Sequence, residues 1–429
     1  MVIKTYLYYL ILYFLWIVSP LQELYAAGTY EKLTLIGINI IDRNGLSETI
    51  GSKEKLKKYA QIDFLSPQPY QKVMRMYKNT RGENVSCLTT YHNNGQIKQY
   101  LECVNNRACG RYREWHSNGK IRIQAEVIGG IADLHPSAEL GWLFHGTTLA
   151  HNDEGVLEAA ITYNKGLLQG ISYYYHPNGQ IWKECPYHKG QAHGDFLTYT
   201  CEGYLLKKQA YQNGEKHGIS IRYEEQSGII LCREEYSQGV LTQGYYLDPQ
   251  THQQFSEIRD GQGLQALYGK HAIIETRVFA HGHPCGKVTL WDSLGKTITQ
   301  TYTLIEGTKH GEEIFFYADS GKPKLLLTWN HGILQGPAKT WYPNGNLESC
   351  RELMNTKKSG LLTLYYPEGQ IMATEEYDNE LLIKGEYFRP GDRQPYSKVE
   401  KGCGTAMFFT PSGTITKKIP YQDGKPLLY

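Results

Sequence analysis

Gly170-Ile171-Ser172-Tyr173-Tyr174-Tyr175-His176-Pro177-Asn178-Gly179-Gln180-Ile181-Trp182-Lys183-Glu184 decides how the chain is read. A run of aromatics enters a Pro-Asn-Gly turn, and an alternating apolar and polar stretch leaves it. Tyr, Ile and Trp suit a pleated, half-buried surface. Alternation buries one face and wets the other. Asn-Gly between two such stretches predicts a β-hairpin with a two-residue type I′ turn, in which both turn residues take φ > 0.

The same turn recurs down the chain. Its cleanest other copies are Tyr342-Pro343-Asn344-Gly345 and Tyr366-Pro367-Glu368-Gly369. Gly155, Gly179 and Gly203 follow one another every 24 residues, as do Gly321, Gly345 and Gly369, and as Gly119 follows Gly95. Gly413 holds the same position near the end. Each unit opens with a glycine, such as Gly110, Gly170, Gly218, Gly336 or Gly360. An aromatic stands just before the turn: Tyr91, Trp115, Tyr175, Tyr199, Trp291, Trp341, Tyr365. A second aromatic lies eight past the turn glycine, as at Tyr163, Tyr187, Tyr236, Tyr377 and Tyr421.

A fixed period in this range marks a stacked repeat protein. One hairpin alone is marginal in water, so successive hairpins must pack edge to edge. The expected fold is all-β: an elongated single-sheet solenoid of stacked ~24-residue β-hairpin repeats with a small N-terminal cap. About 13 repeats at about 10 Å each predict a length of about 130 Å.

The pattern G-x4-[YW]-x2-N-G-x-[IL]-x5-Y-x2-G-x3-G, read from Gly170 to Gly194, resembles the MORN-repeat variant grouped in bacterial proteins of the YwqK-type antitoxin family. The resemblance spans most of residues 86–429. It implies binding and scaffolding, with no shared catalytic residues. The antitoxin label implies a protein that binds and neutralises a cognate toxin. Some related repeats imply association with a phospholipid or membrane surface. Three stretches depart from the pattern. An insertion between Gly130 and Gly146 contains Leu134-His135-Pro136, the copies between Gly244 and Gly286 are degenerate, and the copy from Gly385 to Gly404 is short.

The N-terminus reads separately. Lys4 precedes an apolar run from Tyr6 to Val18, followed by Pro20 and Ala26-Ala27. That layout predicts a secretory signal peptide over residues 1–27, with an uncleaved anchor as the alternative. The run is shorter than the ~20 residues of a membrane-spanning helix. The expected location is therefore exported, periplasmic or secreted. Residues 28–85 read as the cap that a solenoid needs at its first edge. Leu33 to Ile41 reads as a strand and Arg43-Asn44-Gly45 as a turn. Ser52 is placed to cap a short helix through Tyr59. Ser66-Pro67-Gln68-Pro69 breaks the chain before a strand from Tyr70 to Tyr77. The repeat domain then covers residues 86–429.

Composition narrows the partners. Net charge is +2, and no Lys/Arg run exceeds two residues. Nucleic-acid binding therefore has no charge signature. The chain holds 35 Tyr against 11 Phe, and tyrosine can bury its ring and keep a wet hydroxyl, which suits a thin sheet. The aromatic columns read as a ladder joining hairpins, or as an exposed groove for a peptide, glycan or lipid.

Candidate chemistry is sparse. Histidines fall in two columns: His145, His193, His217 and His310 before the opening glycine, and His92, His116 and His176 at the turn. Neighbours in a column stand about 10 Å apart, whereas a metal ligand sits about 2 Å from its ion. They cannot share a metal. His281, His283 and Cys285 form the densest ligand-like cluster, of donor types that suit zinc or copper. They are weak metal candidates, because Gly282 and Gly286 mark an ordinary inter-repeat turn. Among nine cysteines, Cys103 and Cys109 are the one pair placed to bridge. Gly261-Gln262-Gly263 and Gly402-Cys403-Gly404 lack the spacing and helix of a phosphate loop. Glu234-Glu235 and Glu375-Glu376 sit on strands and point to opposite faces, so neither pair forms an acid/base couple. The reading is a non-enzymatic surface for a protein partner, with neutralisation of a cognate toxin as the runner-up and a membrane or envelope surface as the third candidate. It calls for no catalytic residue, cofactor, small-molecule substrate or nucleic acid.

Overall fold

A computed structural model describes residues 33–225 and 227–427. The expected signal segment, 1–27, and the first residues of the expected cap lie outside the described residues. Among the described residues the fold is nearly all β: 36 strands in one open antiparallel sheet, with two short helices. The expected all-β sheet of successive hairpins is what the chain forms. Among the described residues two compact units are distinguished, the first running up to residue 192 and including 201–203, the second comprising 193–200 and the described residues from 204 onward.

The turns correct the sequence reading. All eight expected turn glycines, Gly95, Gly119, Gly155, Gly179, Gly203, Gly345, Gly369 and Gly413, have φ between 82° and 96°. The asparagines before them do not take positive φ. Gly179 N donates to His176 O at 2.8 Å, and His176 N donates to Gln180 O at 2.8 Å. That is a three-residue loop, a type I turn closed by a left-handed glycine. The asparagine has other work. Asn178 Oδ1 accepts from Gln180 N at 3.1 Å, and Asn178 Nδ2 donates to Cys201 O of the next hairpin at 2.7 Å. Asn94 and Asn118 repeat both bonds in the first unit, and Asn344 does so in the second. The type I′ conformation lies at the opposite turns, where Lys165-Gly166, Lys189-Gly190, His281-Gly282 and His331-Gly332 have positive φ at both positions.

In the first unit, strand Thr34–Ile41 pairs with Ser47–Ile50 and with Lys72–Lys78. Ser47–Ile50 was not legible, because Ser-Glu-Thr-Ile carries too little apolar alternation to register as a strand. The last cap strand begins at Lys72 rather than Tyr70. Helix Lys53–Tyr59 starts at Ser52 as expected, yet the serine side chain makes no capping bond. Burial fixes this helix instead. Leu56 and Phe64 pack with Ile38, Ile40, Ile50, Val73, Tyr91 and Ile97. Phe64 is 1% exposed, and such burial contributes roughly 1.5–3 kcal/mol.

The insertion after strand Ile121–Val127 folds back onto the sheet. His135 caps helix Pro136–Glu139 by accepting from Ser137 N. Leu134, Ala138 and Trp142 are buried with Leu101, Cys103, Tyr112 and Val127. Trp142 meets Tyr112 edge-on with centroids 4.9 Å apart.

The second unit contains two compact blocks where the sequence looked degenerate. Strands Ile230–Ser237, Val240–Leu247, Gln254–Arg259, Gln262–Tyr268 and Ile273–Ala280 form the first. Strands Ile371–Asp378, Leu381–Tyr387, Ser397–Glu400, Cys403–Phe409 and Ile415–Gln422 form the second. Glu234, Tyr236, Tyr246, Gly261 and Gly263 recur at one constant offset as Glu375, Tyr377, Tyr387, Gly402 and Gly404. Each block carries its own buried cluster. In each, turn glycines stack backbone on backbone. Gly261 N donates to Thr242 O at 2.8 Å and Gly282 N to Gly261 O at 2.9 Å. Gly402 N donates to Ile383 O at 2.9 Å and Gly424 N to Gly402 O at 3.0 Å. A Cβ on Gly261 or Gly402 would lie 2.5 Å from the amide nitrogen of Gly282 or Gly424. The Gly-x-Gly segments are therefore places where two chain passes touch.

Candidate functional site

One face of the sheet is packed and the other is wet. In strand Ile371–Asp378, Ala373 and Glu375 are buried while Glu376 is exposed. Glu234 and Glu235 likewise point apart, with Glu235 exposed. The inward carboxylates are held by tyrosines. Glu375 accepts from Tyr387 Oη at 2.8 Å and from Tyr377 Oη at 2.9 Å. Glu234 accepts from Tyr246 Oη at 2.8 Å, Tyr236 Oη at 2.9 Å and Gln265 Nε2 at 2.7 Å. Burial pushes all four tyrosine hydroxyls far above their ordinary range, and the adjacent carboxylate pushes them further. They stay protonated and donating at neutral pH. These are clamps, with no proton to exchange. Their signal in the sequence is the repeated tripeptide Glu-Glu-Tyr at 234–236 and 375–377, which the repeat columns of aromatics and glycines do not single out.

A third carboxylate, Glu313, accepts from Trp329 Nε1 at 2.7 Å and from Gln300 Nε2 at 2.5 Å, and pairs with Lys309. Lysines also lie over the second aromatic column. Lys216 Nζ is 4.5 Å from the Tyr236 ring, Lys309 Nζ 5.2 Å from Trp329 and Lys358 Nζ 5.1 Å from Tyr377. The cation–aromatic slots are filled from within the chain.

The histidine columns join hairpins. His92 Nε2 lies 2.9 Å from Trp115 O, and His116 Nε2 lies 3.0 Å from His151 O. Tyrosine takes over farther along: Tyr342 Oη donates to Tyr365 O at 2.8 Å, and Tyr366 Oη to Phe388 O at 2.9 Å. In the pre-glycine column, His145, His217 and His310 accept at Nδ1 from the backbone N–H of Lys165, Gln238 and His331 at 3.3–3.4 Å.

His281 and His283 are exposed beside Gly282, and Cys285 is partly buried. Among the described residues, no three His, Cys, Asp or Glu side chains converge on a metal position, so these candidates are not brought together. All nine cysteines are free, so the Cys103–Cys109 bridge does not form. Cys103 pairs opposite Ala108, and the residue next to Ala108 faces the other side. Burial pushes the Cys103 thiol up to about 12. The first aromatic column is half-buried at Trp115, Tyr175, Tyr199, Trp291, Trp341 and Tyr365, and buried at Tyr91. It forms a ladder of partly covered rings. Among the described residues, no helix is long and apolar enough to cross a membrane.

Residues 168–189, 334–353 and 358–379 match the MORN repeat variant. A search of curated proteins finds no match to the chain. The matches are to the repeat itself, and the antitoxin grouping is not supported by them. The chain is a repeat protein that carries the MORN repeat variant at these three places, and repeats of this kind are associated with binding.

Proposed function

We propose that the protein is an exported, non-enzymatic repeat protein whose sheet presents a multi-point surface to a protein partner. One observation carries this reading. In several repeats the wet face exposes a large aliphatic residue at one of two positions. In three repeats the residue after the opening glycine is aliphatic, Ile171, Ile219 and Leu361, exposed by 41%, 37% and 56%. In three repeats the residue two past the turn glycine is exposed as well: Ile230, Ile371 and Ile415, by 42%, 45% and 51%. Exposed apolar side chains scattered singly need no explanation, but a recurring set favours interaction. Contacts repeated along a sheet add through effective concentration. The packed-face acids support the non-enzymatic part, since tyrosines that remain protonated occupy them. Export rests on the sequence of residues 1–27.

Crosslinking with mass spectrometry on the native protein, combined with cell fractionation, tests the reading. The expected result is a crosslinked partner protein mapped to wet-face residues, in an exported fraction. Recovery only as an isolated cytosolic monomer would refute it. A toxin recovered as the crosslinked partner from the cytosol would favour the antitoxin reading instead.

A further inference from the structure

Leu206, Arg222, Glu224, Glu225, Leu231 and Lys270 line a cavity of about 200 Å³ in the second unit. Arg222 stands on strand Glu215–Tyr223, opposite Lys207 on one side and Cys232 on the other. Its Nη2 donates to Gly269 O at 2.9 Å, and its guanidinium carbon is 5.9 Å from the Tyr268 ring centroid. Its Nε is enclosed without a hydrogen-bond partner. The two acids at the rim are engaged elsewhere. Glu224 bonds Ser227 and faces His252 Nε2 at 3.3 Å. Glu225 lies 3.9 Å from Lys270 Nζ. Among the described residues, no carboxylate forms an ion pair with Arg222.

The fold does not need a charge there. In the second block, Leu364 stands opposite Ala373 as Arg222 stands opposite Cys232. Glu225 interacts with Arg222 only through space, so the partly buried guanidinium lacks a hydrogen-bonded carboxylate, its strongest natural partner. The cavity is smaller than the ~300 Å³ at which drug-sized sites begin, so it admits one side chain. Leu206 and Leu231 offer apolar wall to a short aliphatic stem.

We propose that this cavity is an anchor for a carboxylate on a short aliphatic stem, supplied by an acidic side chain of the protein partner. The assignment to a partner rests on the protein-binding reading above; the carboxylate chemistry does not.

The test uses the full chain and NMR of the arginine Nε–H signals, with Arg222→Lys supplying the assignment. Three probes are titrated at matched ionic strength: N-acetyl-glutamate α-methylamide, its glutamine counterpart, and glutarate. A saturable shift of the Arg222 signal with the glutamate probe, and none with the glutamine probe, is expected. Arg222→Met should weaken binding by at least about tenfold, the loss expected for a charge-assisted bond. Glu225→Gln removes a competing acid and releases Lys270, so it should bind the glutamate probe several-fold tighter, a gain that misfolding cannot mimic. No saturable response to any acid, or full binding by Arg222→Met, overturns the proposal. Binding of glutarate without the blocked glutamate overturns the partner-side-chain assignment. Glutamate binding in a protein that crosslinks to nothing keeps the carboxylate site and refutes the protein-binding reading.

Discussion

The regular hairpin around Gly179 and the compact block around Gly404 are both built from antiparallel strands and glycine turns, yet they are held together differently. Around Gly179 the next hairpin is reached by side chains: Asn178 spans to Cys201 O, and a Cβ on Gly179 would meet nothing within 4 Å. Around Gly404 backbone lies on backbone, and a Cβ there would sit on the Lys398 carbonyl oxygen. The first block repeats this at Gly263 and the Glu257 carbonyl. Where the repeat pattern looks most eroded, the packing is tightest. Periodicity records what neighbouring hairpins share, and backbone contact leaves no periodic side chain to read.

The largest expected effect follows from that contrast. Gly404→Ala should destabilise the fold by about 3 kcal/mol or more, since it combines φ of 142° with a backbone clash. Gly179→Ala, strained only by its φ of 82°, should lose about 1–2 kcal/mol. Thermal and urea denaturation of both variants measures the difference. Equal losses would abolish the distinction between the two regions.

The carboxylate clamps separate the two blocks from each other. Glu375 is 5% exposed and Glu234 is partly open to solvent. Glu375→Ala strands the hydroxyls of buried Tyr387 and half-buried Tyr377 and should lose about 2–4 kcal/mol, whereas Glu234→Ala removes a carboxylate that solvent already reaches and should lose roughly half as much. The reverse order in urea midpoints would show that burial does not rank the clamps.

The same tyrosines predict an alkaline limit. Burial, and then Glu375, raises the Tyr377 and Tyr387 hydroxyls above the unfolded value near 10. A group raised in the folded state stabilises fully below its unfolded pKa and loses that contribution as pH climbs beyond it. The contribution of these tyrosines should therefore be constant below about pH 10 and fall above it, by up to about 1.4 kcal/mol per pH unit for each. The variant carrying Tyr377→Phe and Tyr387→Phe should show a shallower decline in urea titrations across that range. An unchanged slope would mean that these hydroxyls ionise freely in the folded protein.

Much of the fold was legible because hairpins write themselves twice, in alternation and in turn chemistry. Gly179 takes the left-handed turn conformation, and His116 reaches the His151 carbonyl of the next hairpin. Three things were hidden for physical reasons. The conformation of Asn178 was misread because Asn-Gly suits both a type I′ turn and a type I turn closed by a left-handed glycine, and only the hydrogen bonds decide. Strand Ser47–Ile50 borrows its stability from Thr34–Ile41 and has little pattern of its own. The Arg222 cavity depends on the residues that surround it in space, including Lys270, and no spacing rule brings Lys270 to Arg222.

The smallest effect tests the misread turn itself. Asn178 makes two bonds: Oδ1 holds its own loop through Gln180 N, and Nδ2 reaches Cys201 O. Asn178→Asp keeps the acceptor and removes the donor, so it should lose only the link to the next hairpin, about 0.5–1 kcal/mol. Asn178→Ala removes both and should lose about 1–2 kcal/mol. A type I′ turn would give another pattern. There the asparagine would sit at φ > 0, aspartate would serve nearly as well, and alanine would carry the left-handed strain. An aspartate variant as stable as the parent would therefore remove the asparagine rung from the regular hairpin. A graded loss, with aspartate between asparagine and alanine, would place the joint between repeats in the side chain of Asn178 and leave backbone contact as the mark of the compact blocks.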